Sequence, residues 1–155
     1  MNWFLFWKLL HITGAFGFVA AHGASAAVAF RLRREREPLR IRALLELSRS
    51  TRSLMYWSLL VLLVAGIANG FFVVQYAERG WLWTALVLLA VLIAVAFPIA
   101  VPYYRRIRLA VDPDGPAATA EELAELLTSS RPLLVAWVET VGILVILWLM
   151  IYKPF

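Results

Sequence analysis

Residues 9–30 read LLHITGAFGFVAAHGASAAVAF, an apolar run whose only polar side chains are His11, Thr13, His22 and Ser25. Together with the aromatic residues Trp3, Phe4, Phe6 and Trp7 before it, the run exceeds the ~20 residues that cross a bilayer. Working outward, three more segments have the same character, at about 54–77, 81–104 and 132–152. Hydrocarbon offers no partner to a backbone N–H or C=O, so each segment is expected to be a helix. The whole chain of 155 residues is 63% hydrophobic, with a mean hydropathy of +0.78. That composition excludes a soluble domain of this size. The predicted fold is all-α. It is a polytopic membrane four-helix up-down bundle, one transmembrane domain over 1–155 with its first span at 3–30.

Charge sets the expected topology. Arg31, Arg33, Arg34, Arg36, Arg40, Arg42, Arg49 and Arg52 face only Glu35, Glu37 and Glu46. Loops 31–53 and 105–131 are therefore predicted to be cytoplasmic, both termini non-cytoplasmic, and the protein multi-pass in the cell inner membrane. The first span has no basic leader and outruns a signal sequence, so it is expected to be retained. After Pro38, Leu39, Ala43, Leu44 and Leu47 recur at helical spacing. They predict a short surface helix or an inward extension of the second span. Pro98 is expected to kink the third helix or end it early. In 112–131, DPDGP signals a turn, and Thr119 with Glu122 signals a capping box. The acidic helix that follows, with Glu121, Glu122 and Glu125, is expected to lie against the basic first loop through surface ion pairs. The net charge of +5 and pI of about 10.1 reflect arginines beside helix ends. They indicate contact with lipid headgroups of the bilayer and no nucleic-acid partner. The absence of cysteine excludes disulfides, thiolate metal sites and iron–sulfur clusters.

Polar groups inside the spans are the functional shortlist, because each costs free energy unless paired. His11 and His22 are eleven residues apart. They share a helix face at a separation of roughly 16 Å, too far to hold one metal ion. Depth along the spans predicts two layers. His22, Ser25, Glu139 and Thr140 form an inner layer; His11, Asn69 and Gln75 form an outer one. Glu139 is the only acidic residue well inside a span. Beside His22 it reads as helix-joining glue, a proton-relay partner, or a carboxylate orienting a metal-bound imidazole. Asn69 reads as interhelical glue or as a ligand. Gly14, Ala15, Gly17, Ala20, Ala21 and Gly23 allow either close helix packing or room for a flat cofactor. There is no phosphate-binding loop, no H-E-x-x-H and no Ser/His/Asp set. If the protein is an enzyme, a membrane oxidoreductase is the class left open.

The run Lys8-Leu-Leu-His11-Ile-Thr-Gly14-Ala-Phe-Gly17, followed by small residues, resembles the opening helix of a group of small bacterial membrane proteins. The group includes the DUF2269 family, the CopD-like copper-resistance membrane domain and the HemJ-type protoporphyrinogen oxidase. His11 stands at the matching histidine, Phe18 stands where HemJ-like proteins have tryptophan, and His22 is additional. The resemblance implies a helical bundle that in some members holds b-type haem. It leads to the expectation of a haem b-binding protein in electron transfer or haem handling. His11 and His22 would then be metal ligands to haem iron, and Arg31, Arg33 and Arg34 would pair with propionates. Two histidines cannot supply two ligands to each of two haems, so either the sites are five-coordinate, or a homodimer through the first helix or another residue completes them, or one histidine holds a single haem and the other is structural. Two alternatives stand beside this one. One is a small proton or metal transporter or channel using a His22–Glu139 pair. The other is a non-catalytic subunit or assembly factor of a larger membrane complex.

Overall fold

A computed structural model describes residues 2–113, 115 and 118–155. Helix α1 is Trp3–Leu32, and α2 is Pro38–Ile67, continued by a π-helical turn at Ala68–Val73. A short 3-10 turn, Tyr76–Glu78, leads into α3, Gly80–Ala110; α4 is Ala120–Thr128 and α5 is Arg131–Tyr152. Four helices are long and apolar enough to cross a membrane, and no strand occurs among the described residues. At 1.5 Å per residue α1 is about 45 Å long, so it outreaches the ~30 Å hydrocarbon layer.

The helices run past the expected spans at the arginine-rich end. Pro38 sits in the first turn of α2, where its missing N–H costs nothing. The stretch after it is an extension of the second span, as one of the two readings had it, and the connection from α1 shrinks to a few residues. The Glu35 carboxylate accepts the backbone N–H groups of Arg36 and Glu37 in that connection. These bonds, the one from Arg36 foremost, hold its carboxyl below the usual range. Pro98 does not end α3, which passes through Pro98 and Pro102 and on to Ala110. Tyr103 and Ile107, buried beyond both prolines, anchor that continuation.

Two apolar clusters close the ends of the bundle. At the arginine end Val28, Leu32, Ile41, Leu45, Tyr103, Ile107, Val111 and Leu127 join α1, α2, α3 and α4. At the other end Trp81, Leu82, Ala85 and Leu149 pack together. Both termini lie at this second end. The Trp81 N–H donates to Phe155 O at 3.3 Å, and the ammonium of Lys153 lies over the rings of Tyr76 and Trp81. The capping box of α4 is present, with Thr119 and Glu122 exchanging bonds. The DPDGP turn at 112–116 lies partly outside the described residues. The contact of α4 with the basic segment differs in kind from the expected ion pairs. Among the described residues Leu123, Leu126 and Leu127 make it, together with Arg33, whose guanidinium donates to Thr128 O at 3.1 Å. Leucines can leave water at that contact, whereas exposed ion pairs gain little. Arg42 similarly donates to Val111 O at the C-terminus of α3.

Between the end clusters the helices associate as two antiparallel hairpins, α1 with α2 and α3 with α5. Small residues make both seams. A Cβ on Gly14 would come within 2.6 Å of the Leu62 backbone nitrogen, and one on Gly17 would strike the Ser58 hydroxyl. Gly66 on α2 in turn leaves room for the ring of His11, and Gly142 on α5 leaves room for Leu92 on α3. Gly14 and Gly17 of α1 thus serve close packing inside one protomer. Gly14→Val is expected to destabilise the protein by about 1–3 kcal/mol through overpacking. Gly23→Ala, where a Cβ meets nothing within 4 Å, should stay within about 0.5 kcal/mol. Thermal unfolding in detergent reads the difference, and equal effects would refute a tight α1–α2 seam.

Candidate functional site

His22 leaves the α1–α2 seam and faces the other hairpin. It is 8% exposed, and its ring lies between Thr140 and Glu139 of α5. Thr140 Oγ1 sits 2.7 Å from Ala136 O. A carbonyl can only accept, so the threonine hydroxyl spends its one hydrogen there. Thr140 Oγ1 is also 3.3 Å from His22 Nε2, and in that contact it must accept. His22 therefore carries hydrogen on Nε2. Its other nitrogen, Nδ1, faces Glu139 Oε2 at 3.6 Å. That is ion-pair range, and closure by roughly 0.7 Å would make it a hydrogen bond. With Nε2 committed, one further proton can reside on Nδ1 or on the Glu139 carboxyl.

The pair opens onto a cavity of about 160 Å³ between the two hairpins. Each long helix lends it one stripe at helical spacing. Phe18, His22, Ser25 and Ala29 come from α1, and Ser48, Arg52, Met55 and Leu59 from α2. Ile93, Phe97, Ala100 and Tyr104 come from α3, and Pro132, Val135, Ala136 and Glu139 from α5. Ser25 ties the first two stripes together. Thr51 donates its hydroxyl to carbonyls of its own helix, so Ser25 Oγ donates to Thr51 Oγ1 at 3.4 Å. The rim residues Tyr56, Ile93 and Phe97 are exposed. The cavity is thus a cleft that reaches the outer, apolar face of the bundle.

The predicted inner layer is assembled: His22, Ser25, Glu139 and Thr140 converge. The outer layer is not. His11 Nδ1 lies 2.9 Å from Leu62 O and donates to it, while Asn69, in the π-helical turn, has its Oδ1 buried without a hydrogen-bond partner. A backbone carbonyl opposite Gly66, unseen in the pattern of polar side chains, takes the place expected of Asn69. Gln75 is exposed, in left-handed backbone. Arg31 and Arg34 are exposed, Arg33 is committed to Thr128, and none of the three lines the cavity. The arginine that does line it is Arg52, with Ser48 and Tyr104 nearby in the same wall. In the sequence Arg52 reads as one more arginine of the topology signal. The spacing 48–52–55–59, which puts it on the same face as apolar residues deeper in α2, was the available sign. No group of three or more His, Asp or Glu among the described residues could hold a metal ion.

The model of a family described as "Predicted integral membrane protein (DUF2269)" matches residues 5–154, and the chain belongs to that family. No curated protein and no solved structure matches it.

Proposed function

We propose that this protein is a small proton-coupled membrane transporter or channel in which His22 and Glu139 take up and release one proton at the cleft between the hairpins. One observation carries the reading: the bond from Thr140 to Ala136 makes His22 Nε2 a donor and turns Nδ1 toward Glu139 at 3.6 Å, where the two can share a proton. A lone charge in hydrocarbon costs several kcal/mol. Neutral imidazole with carboxylic acid, and imidazolium with carboxylate, both have zero net charge, so the proton moves within the pair without exposing a bare ion, and its release leaves one carboxylate, on Glu139. The purified protein in proteoliposomes should dissipate an imposed pH gradient, and Glu139→Gln should slow this about tenfold or more, by analogy with the loss of a proton-transfer group. Flux unchanged by Glu139→Gln, or no flux above empty vesicles, would refute the reading.

A second reading, b-type haem on His11, has its own support. Because His11 donates from Nδ1 to the Leu62 carbonyl, its Nε2 keeps a lone pair, and a carbonyl-oriented imidazole is the form that ligates metals. His22 fits a haem ligand poorly, since one of its nitrogens is bonded to Thr140 and the other faces Glu139. Under this reading, protein produced with ample haem shows a Soret band that His11→Ala removes and His22→Ala retains. A spectrum without that band contradicts it.

A further inference from the structure

The cleft holds a charge that the proton pair does not use. Arg52 lines it, and the guanidinium Nε is buried without a hydrogen-bond partner. Arg52 makes no hydrogen bond or ion pair with any described residue. One turn beyond Tyr104 on α3, outside the cavity wall, Arg108 also has its Nε buried and unpartnered, while its Nη2 donates to Leu45 O at 3.4 Å. A buried donor left unmade is costly, and a charged one more so. Among the described residues the only carboxylate in the cavity wall is Glu139, which faces His22. With one proton shared between those two, the wall carries a net charge of one, positive, on Arg52. The remaining described wall is apolar apart from the hydroxyls of Ser25, Ser48, Tyr56 and Tyr104, and the exposed Tyr56, Ile93 and Phe97 carry it out to the lipid-facing surface.

We infer that this cleft binds the anionic head of a hydrocarbon-tailed molecule, with Arg52 as its counter-charge and the tail leaving between Tyr56 and Phe97. The volume of about 160 Å³ matches the head and not the tail. A cavity of about 150 Å³ admits a benzene-sized group, so a carboxylate or phosphate with its first carbons enters while the chain lies along the apolar rim. Guanidinium suits either oxyanion through charge-assisted hydrogen bonds. The inference rests on the proposed proton pair in one respect, that His22 and Glu139 together carry no net charge.

Native mass spectrometry of the full chain released from a nonionic detergent tests it with four probes: palmitate, hexadecyl phosphate, hexadecanol and phosphatidylglycerol. Palmitate or hexadecyl phosphate should bind one to one, with hexadecanol at least about tenfold weaker, as expected for a lost charged contact. Arg52→Gln should abolish the preference, and Arg52→Lys should restore much of it, which separates a lost charge from a misfolded protein. Preferential binding of phosphatidylglycerol, lost in Arg52→Gln, would support the same site with a phospholipid as the source of the head. Equal binding of hexadecanol, binding unchanged in Arg52→Gln, or no binding of any anionic probe would overturn the inference. Glu139→Gln keeps the pair neutral and should keep the anion bound while proton flux is lost. Palmitate binding without proton flux in the unaltered protein would therefore sink the transport reading alone.

Discussion

An imidazole in hydrocarbon needs a partner for each nitrogen that carries a hydrogen, and this requirement organises the bundle. Between helices in lipid, apolar packing has little to distinguish one arrangement from another, because lipid tails are as apolar as leucine. Close backbone approach and polar pairing do the selecting. On α1 these two devices point in different directions. Gly14 and Gly17 draw α2 in on one side, and His22 reaches α5 through Thr140 and Glu139 on the other. The first device builds a hairpin; the second joins that hairpin to its neighbour at the depth where α2 and α3 stand apart. The cleft follows from the arrangement, since two hairpins held by α1 and α5 and by apolar clusters at their ends leave a gap along the remaining seam.

The cleft is therefore polar where it is held together and apolar where it is open. His22 and Glu139 sit at the join, and the exposed Tyr56 and Phe97 sit at the mouth. Arg52 enters from a helix that continues unbroken from the arginine-rich end into the hydrocarbon region. That continuity matters physically. A guanidinium on a long stem can lie against apolar surface while its head keeps a polar environment, and the cleft supplies one.

Much of this was legible in the sequence. Composition and four long apolar runs sufficed for the all-helical membrane fold, because the bilayer leaves the backbone almost no alternative. Depth counting along the spans brought His22 to Glu139 and Thr140, since a helix advances by a constant rise and both spans cross the same slab. It failed for His11 and Asn69. Depth says nothing about direction around the helix axis, and the partner His11 uses is the backbone carbonyl of Leu62. The same blind spot hid Arg52. Charge counting assigned it to a loop, whereas α2 runs from Pro38 without interruption and turns that side chain into the cleft wall. Of the two expectations for Pro98, an early end to the helix fails because Tyr103 and Ile107 beyond it are buried in a cluster that only the tertiary fold creates.

The chemistry proposed at the cleft depends on the hydrogen at His22 Nε2, and histidine-selective nitrogen-15 NMR of the protein in lipid nanodiscs observes it directly. The His22 resonances are expected to show a protonated Nε2, Thr140→Val to shift the Nε2 signal and Glu139→Gln to shift the Nδ1 signal, with those of His11 unmoved by either. A His22 with a bare Nε2, or signals indifferent to both substitutions, would contradict that chemistry.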